Sequence, residues 1–276
     1  MLGKPVTKEL VKTGFDVKIL TRNIPKMQEL FPSIKNVGGD VFDRKSLANA
    51  MEGREIVYVN LSIQQDSKKT DPQQEKEGVD NIIAAARETG IKRIAYLSSL
   101  IKNYNGMKGF SWWAFDIKES AINKIKNSGI PFTIFYPSTF METFPFQMIR
   151  GNKIMMIGQS VAPMWFIAAE DYARQVAKSF QLDDSENKEY AVQGPEPFTF
   201  DEAARIIIKN HSKSNLKVMK APMAILKFLG LFNPRLNYGT NICDALNKYP
   251  EKFESEKTWQ ELGKPSITLA DYAKSL

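Results

Sequence analysis

Five polar clusters stand directly after apolar, strand-like runs in this chain. They are Thr21-Arg22-Asn23, Gly39-Asp40, Asn60-Leu61-Ser62, Ser98-Ser99 and Tyr136-Pro137-Ser138. Open α/β sheets bind ligands outside the carboxyl ends of their strands, so chemistry is to be sought in these clusters. Arg22 is the most informative. In dinucleotide sites an acid at this strand end accepts the ribose hydroxyls, whereas an arginine pairs with a 2′-phosphate. The run ILTRN ends without an acid, which favours NADP(H), with Asn23 and Lys26 in support. A plain surface arginine is the alternative.

The other clusters carry two readings each. Asp40, after Gly39, suits a tight turn that caps the next helix, and equally a wall for an adenine. Asn60, Leu61 and Ser62 could face a pyrophosphate or ribose, or only close a loop. Lys118 lies in a helix whose start holds Trp112 and Trp113. It could hold ribose hydroxyls and depress the pKa of a neighbouring donor, or belong to a hydrophilic face. The two tryptophans could floor an aromatic pocket or only fill a core. The single histidine, His211, argues against a Ser-His-Asp triad and a histidine-rich metal site. One cysteine, Cys243, excludes an internal disulfide, and no metal ligands are expected.

The elements that must position these residues are legible in the periodicity. Helical patterns in GKPVTKELVKTG, KSLANAME, VDNIIAAARETG and WWAFDIKESAINKIKNSG alternate with strand-like FDVKIL, EIVYVNLS, IKRIAYLSSL and IPFTIFYPSTF. EIVYVNLS is expected to be buried on both faces. Glycines 14, 90 and 129 end helices just before strands, where a left-handed cap is needed. The pattern predicts a Rossmann-type doubly wound parallel sheet over residues 1–140. Residues 141–276 are expected to form a smaller, mostly helical substrate region interleaved with the last sheet elements. There, the helix in PEPFTFDEAARIIIKN should start near Thr199 or Asp201. The apolar helix APMAILKFLGLF could touch a membrane surface but is too short to span a bilayer, and is expected instead to pack over a ligand cleft or against a partner helix.

The formal charge is +7 over 276 residues, without a dense Lys/Arg run. A solvated basic surface explains this more simply than nucleic acid. No apolar run suggests a signal peptide or membrane span, and the expected setting is cytoplasmic.

Taken in order, GKPVTKELVKTG…VKILTRN, GGD, IVYVNLS, GVDNIIAAARETGIKRIAYLSS, Lys118 to IPFTIFYPSTFMETF, and FIAAEDYARQVAKSF resemble the atypical short-chain dehydrogenases. The nearest group is the nitrogen-regulator-like family of NAD(P)-binding proteins. The resemblance implies an NAD(P) cofactor and carries over Gly3, Arg22, Lys118 and Ser98 or Ser99 as its site residues. Together with the strand-end clusters, Gly3, Arg22, Asn23, Gly39, Asp40, Asn60, Leu61, Ser62, Ser98, Lys118, Tyr136, Pro137 and Phe140 are expected to line NADP(H), and Lys118, Ser99 and Tyr136 to serve catalysis. Arg22, Lys118 and the Trp-rich helix suggest a small apolar or aromatic substrate, with a protein partner also compatible. The wider superfamily places its catalytic Tyr four residues before the Lys, where this chain has Ala114. The substitution removes the usual proton donor and leaves Tyr104 and Tyr136 as substitutes. It also admits an inactive NAD(P)-binding sensor or regulator. Gly3 resembles the third glycine of the family's G-x-x-G-x-x-G turn. The first strand and first two glycines have no counterpart, so Met1 reads as an internal methionine of that turn. An in-frame upstream stretch of about one strand plus a turn is the corresponding expectation.

Overall fold

Helix and strand alternate from Gly3 to Pro137 in the structure, a computed structural model that describes residues 2–182, 186–212 and 215–276. Met1, and the role expected of it, lie outside the described residues. The first half runs α1 (Gly3–Lys12), β1 (Lys18–Thr21), α2 (Ile24–Leu30), β2 (Lys35–Gly38), α3 (Arg44–Met51), β3 (Ile56–Val59), α4 (Val79–Thr89), β4 (Arg93–Leu97), α5 (Trp113–Lys126) and β5 (Phe132–Pro137). The second half adds β6 (Ile149–Arg150), β7 (Lys153–Ile157), β8 (Met164–Trp165), α6 (Ala169–Ser179), β9 (Lys188–Val192), β10 (Pro197–Phe198), α7 (Phe200–Asn210) and β11 (Lys217–Ala221). It closes with α8 (Met223–Gly230), α9 (Pro234–Lys248), α10 (Glu256–Leu262) and α11 (Leu269–Lys274).

Strands β3, β4, β5 and β9 form one parallel sheet in that order, and β1 pairs with β2 in a separate parallel pair. The period of two decides what the main sheet buries. Ile94 and Tyr96 of β4 and Ile134 of β5 enter a core with α3, α4 and α5. Ala95, Leu97 and Phe135 enter the opposite core with α1 and α6. Both faces are therefore covered by helices, as parallel strands require. The chain after residue 140 returns to this sheet, because β9 lies against β5 with Tyr136 opposite Ala191. A third core, rich in aromatics, joins the start of α5 to β7, α7, α9 and α11.

The expected burial of EIVYVNLS is corrected. β4 is buried throughout, but Ile56, Val57 and Tyr58 of β3 are only half-buried. Among the described residues β3 has a strand partner on the β4 side alone, so its other edge lacks the neighbouring side chains that would complete burial. The helix caps follow the sequence more closely. Gly90 takes φ 70°, closing α4 in the left-handed region. Thr199 is the N-cap of α7: its hydroxyl accepts from the Glu202 amide while Glu202 accepts from the Thr199 amide.

Candidate cofactor and substrate site

The carboxyl ends of β1 and β2 bring Arg22 and Asp40 together. After β1, the Arg22 side chain is 65% exposed, and its guanidinium lies 3.8 Å from an Asp40 carboxylate oxygen. That contact is long and leaves the fork open to a further anion. Asn23 caps α2 by accepting from the Lys26 amide at 3.1 Å. Asp40 accepts from the Phe42 amide, and its backbone is held by Ser46. The loop after β2 is packed tightly, since a Cβ at Gly39 would come within 2.6 Å of Leu20. Asp40 is thus a turn former that also faces the arginine, and both readings of it hold. Asn60 and Ser62 are exposed after β3, while Leu61 packs on the α3–α4 core. At Gly3, by contrast, nothing lies within 4 Å of where a Cβ would stand.

Ser98, after β4, is the most telling residue of this edge. Its amide is bonded to the Phe135 carbonyl, yet its Oγ is buried with no hydrogen-bond partner in the protein. A buried hydroxyl without a partner is costly, and such groups call for an explanation. A ligand hydroxyl, amide or phosphate supplies one. Ser99 is half-buried and extended, and does not cap the turn that follows it.

Lys118 is held by a carboxylate that the sequence did not advertise. Glu75 lies in a short π-helical turn, Gln74–Gly78, that leads into α4. It is 1% exposed and accepts from the Lys118 ammonium at 2.5 Å and the Tyr96 hydroxyl at 2.7 Å. Burial, with the Glu75 charge behind it, pushes the Tyr96 phenol well above its ordinary range. The Lys118 ammonium also stands 5.9 Å from the centre of the Tyr96 ring.

A cavity of about 470 Å³ is lined by Tyr238, whose phenol feels the Glu75 charge. Trp112 and Trp113 line one side, and Leu231, Phe232 and Pro234 the other. Trp112 packs edge-on against Tyr238, with ring centres 5.0 Å apart. Burial, and then the Glu75 charge, push the Tyr238 phenol up to about 12. Ala114 is buried at the start of α5, so no hydroxyl is presented there.

The remaining expected residues lie elsewhere on the sheet. Tyr136 donates to Glu189 at 2.6 Å, and Lys126 holds the same carboxylate. Burial, followed by Glu189, drives the Tyr136 phenol far above its ordinary value. Pro137 ends β5 opposite Val192. Phe140 forms a bridge with Ile167 and packs on Tyr172 in the α1–α6 core. Tyr104 is buried among Phe110 and Tyr249. Sequence reasoning missed Glu75, Tyr238 and Glu251. The last is buried and joins Ser138, after β5, to Gln193, after β9. Nothing local marks these residues, because each acts on a partner at least 21 positions away. Among the described residues no cluster of three His, Cys, Asp or Glu side chains could hold a metal ion.

The donor set fits a dinucleotide: an open guanidinium at one strand end, a partnerless buried hydroxyl at another, and no acid at the end of β1. Comparisons with known proteins agree. The profile of the NAD(P)H-binding family matches residues 1–181. The chain is 23% identical over 253 residues to the photosystem II assembly factor Ycf39 of Synechocystis, covering 89% of this chain and 75% of that one. Its fold is similar to that of the NADPH-dependent quinone oxidoreductase of Escherichia coli, solved with NADPH, at TM-score 0.76 and 23% identity over 100% and 96% of the two chains. It is also similar to the Citrobacter triphenylmethane reductase solved with NADP(H), at TM-score 0.76 and 19% identity over 100% and 96%. With the profile matching well over half of its length, this chain belongs to the NAD(P)H-binding family.

Proposed function

We propose that this protein is an NADP(H)-dependent reductase of a small apolar or aromatic substrate. The observation that carries this is the aromatic-walled cavity lined by Trp112, Trp113 and Tyr238, at the start of the helix, α5, that also carries Lys118 with its partner Glu75. Residues 1–140 hold the cofactor in this proposal, and residues 141–276 supply the outer wall of the substrate site. The bound cofactor supplies a hydride. Arg22 holds its 2′-phosphate, with Asn23 alongside. Gly39, Asp40, Asn60, Leu61 and Ser62 line its adenosine and pyrophosphate, and Ser98 and Ser99 meet it at the exit of β4. Lys118, oriented by its hydrogen bond to Glu75, holds ribose hydroxyls. Tyr136 is committed to Glu189 and keeps that strand against α5. The names of the solved neighbours support the substrate class, since a quinone and a triphenylmethane dye are both conjugated ring compounds.

A second reading has its own observation: Ala114 stands where the proton donor of the wider superfamily stands, and it is buried. On that reading the protein binds NADP(H) as a sensor or regulator without turnover. Following NADPH absorbance with quinones, enones, aldehydes and triphenylmethane dyes decides between them. Substrate-dependent oxidation is expected. Saturable NADPH binding with no oxidation across the panel assigns the protein to the second reading.

A further inference from the structure

The net charge of the chain is concentrated in one segment. Between Ala203 and Cys243 there are five lysines, Arg205 and Arg235, and no Asp or Glu, so the rest of the chain is balanced. That segment also carries about half of the large apolar side chains exposed among the described residues. They are grouped on the outer strand β11, on α8 and in the turn between α8 and α9. Phe228 is 63% and Phe232 78% exposed, with their rings edge to face 5.9 Å apart. Ile225, Leu229 and Leu231 extend the patch. Lys227 reaches the Asp244 carboxylate, which Lys248 also holds from within α9, so one ion pair fastens α8 to α9 while Ile225, Phe228 and Leu229 stay exposed.

We propose that this α8–α9 corner docks on an anionic lipid surface. Helix α8 is apolar and ends in a protruding aromatic turn; Lys217 of β11 and Arg235 of α9 flank it in the chain, while Lys220 is already paired with Asp201, and apolar side chains with flanking cations are how interfacial helices sit at the headgroup boundary. A protein partner fits less well. Protein interfaces are depleted in lysine, whereas each Lys or Arg near an anionic bilayer adds to binding. The patch is also a corner with projecting rings and not a groove. Leu231 and Phe232 belong both to this patch and to the cavity wall, so the cavity opens at the docked face. An apolar substrate would enter from the bilayer, a consequence that rests on the reductase proposal, whereas the docking does not.

Sedimentation of the full chain with phosphatidylcholine vesicles containing phosphatidylglycerol, against phosphatidylcholine alone, tests this. Binding is expected to the anionic vesicles and to fall with salt. Ile225→Ser with Phe228→Ser removes two exposed apolar side chains outside the cavity lining, and should weaken binding by roughly tenfold or more. Lys217→Gln and Arg235→Gln should each weaken it roughly fivefold. All these variants should bind NADPH like the parent. Absence of sedimentation, or equal sedimentation with neutral vesicles, overturns the proposal. So does a dimer in solution that Ile225→Ser with Phe228→Ser dissociates, which would assign the face to a second copy. Docking without NADPH binding would remove the reductase proposal and leave the docking standing; NADPH binding without docking does the reverse.

Discussion

The Lys118 ammonium sits 2.5 Å from a carboxylate that is almost wholly buried, so two roles are superposed on one side chain. Removing it strips the buried Glu75 of its ion-pair partner and leaves it the Tyr96 hydroxyl. Lys118→Met should therefore cost about 3–5 kcal/mol in denaturant unfolding, the range for a buried pair that loses one partner. Adding Glu75→Gln should recover most of this, because the double variant has no stranded charge. NADPH affinity should not recover with it if Lys118 also holds the ribose. A single variant as stable as the parent would show that the pair does not hold this part of the fold. Arg22 poses a simpler question, since its 3.8 Å contact with Asp40 is a loose surface pair. Arg22→Ala should weaken NADPH by about 1.5–3 kcal/mol, the range for hydrogen bonds to a charged group, and leave NADH nearly unchanged. Titration of both cofactors reads this directly, and equal losses would remove the 2′-phosphate assignment.

At the scale of elements, the segment between α9 and α10 is tied to the main sheet by Glu251. Its carboxylate accepts from Gln193 at 2.7 Å and from Ser138 at 2.8 Å. Burial outweighs these bonds and raises its pKa from 4.5 to about 7. The folded state thus holds this proton more tightly than the unfolded chain. The stabilisation is fully present below about pH 4.5 and is lost as pH rises through about 7. A change of that size is worth about 3 kcal/mol. Unfolding free energies measured from pH 5 to pH 8 should fall in the parent, and Glu251→Gln should flatten that slope. An unchanged slope in the variant would place the proton elsewhere. Other element features were readable beforehand. The helix start expected near Thr199 or Asp201 is where the structure has it, with Thr199 as N-cap and Glu202 completing a capping box.

Over the whole molecule, the described strands fall into four sheets, of which the β1–β2 pair and the four-stranded sheet carry the strand-end clusters. The two differ in how well water is kept out. β4 is buried along its length, whereas β1 is half-buried and β2 is exposed at both ends. Stability follows buried contacts and protected backbone bonds, so the two sheets should open at different free energies. Hydrogen exchange should find the β4 and β5 amides protected up to global unfolding, and those of β1 and β2 exchanging through smaller, local openings. Uniform protection across all four strands would show one cooperative unit. The same scale separates the α8–α9 corner from the rest, because there the apolar surface and the excess charge lie outside the three cores.

The sequence by itself determined the alternation of helix and strand, the glycine caps, the strand-end clusters and the cofactor family. Each of these depends on residues within a few positions of one another, where periodicity and backbone preference act. It could not show that β3 would be half-buried, since burial of a strand is decided by its neighbours and not by its own composition. Nor could it show that Glu75, in the polar run QQDSKKTDPQQEKEG, would be buried beneath Lys118. That placement exists only because the turn before α4 packs against α5, bringing together side chains 43 positions apart. Tyr136 makes the same point in reverse. Its position after an apolar strand suggested a place in the chemistry, but its phenol turns to Glu189 on β9, a strand contributed by the second half of the chain. Local sequence sets which residues reach the edge of the sheet. Only the packing of distant elements decides which of them face a ligand and which are bound to one another.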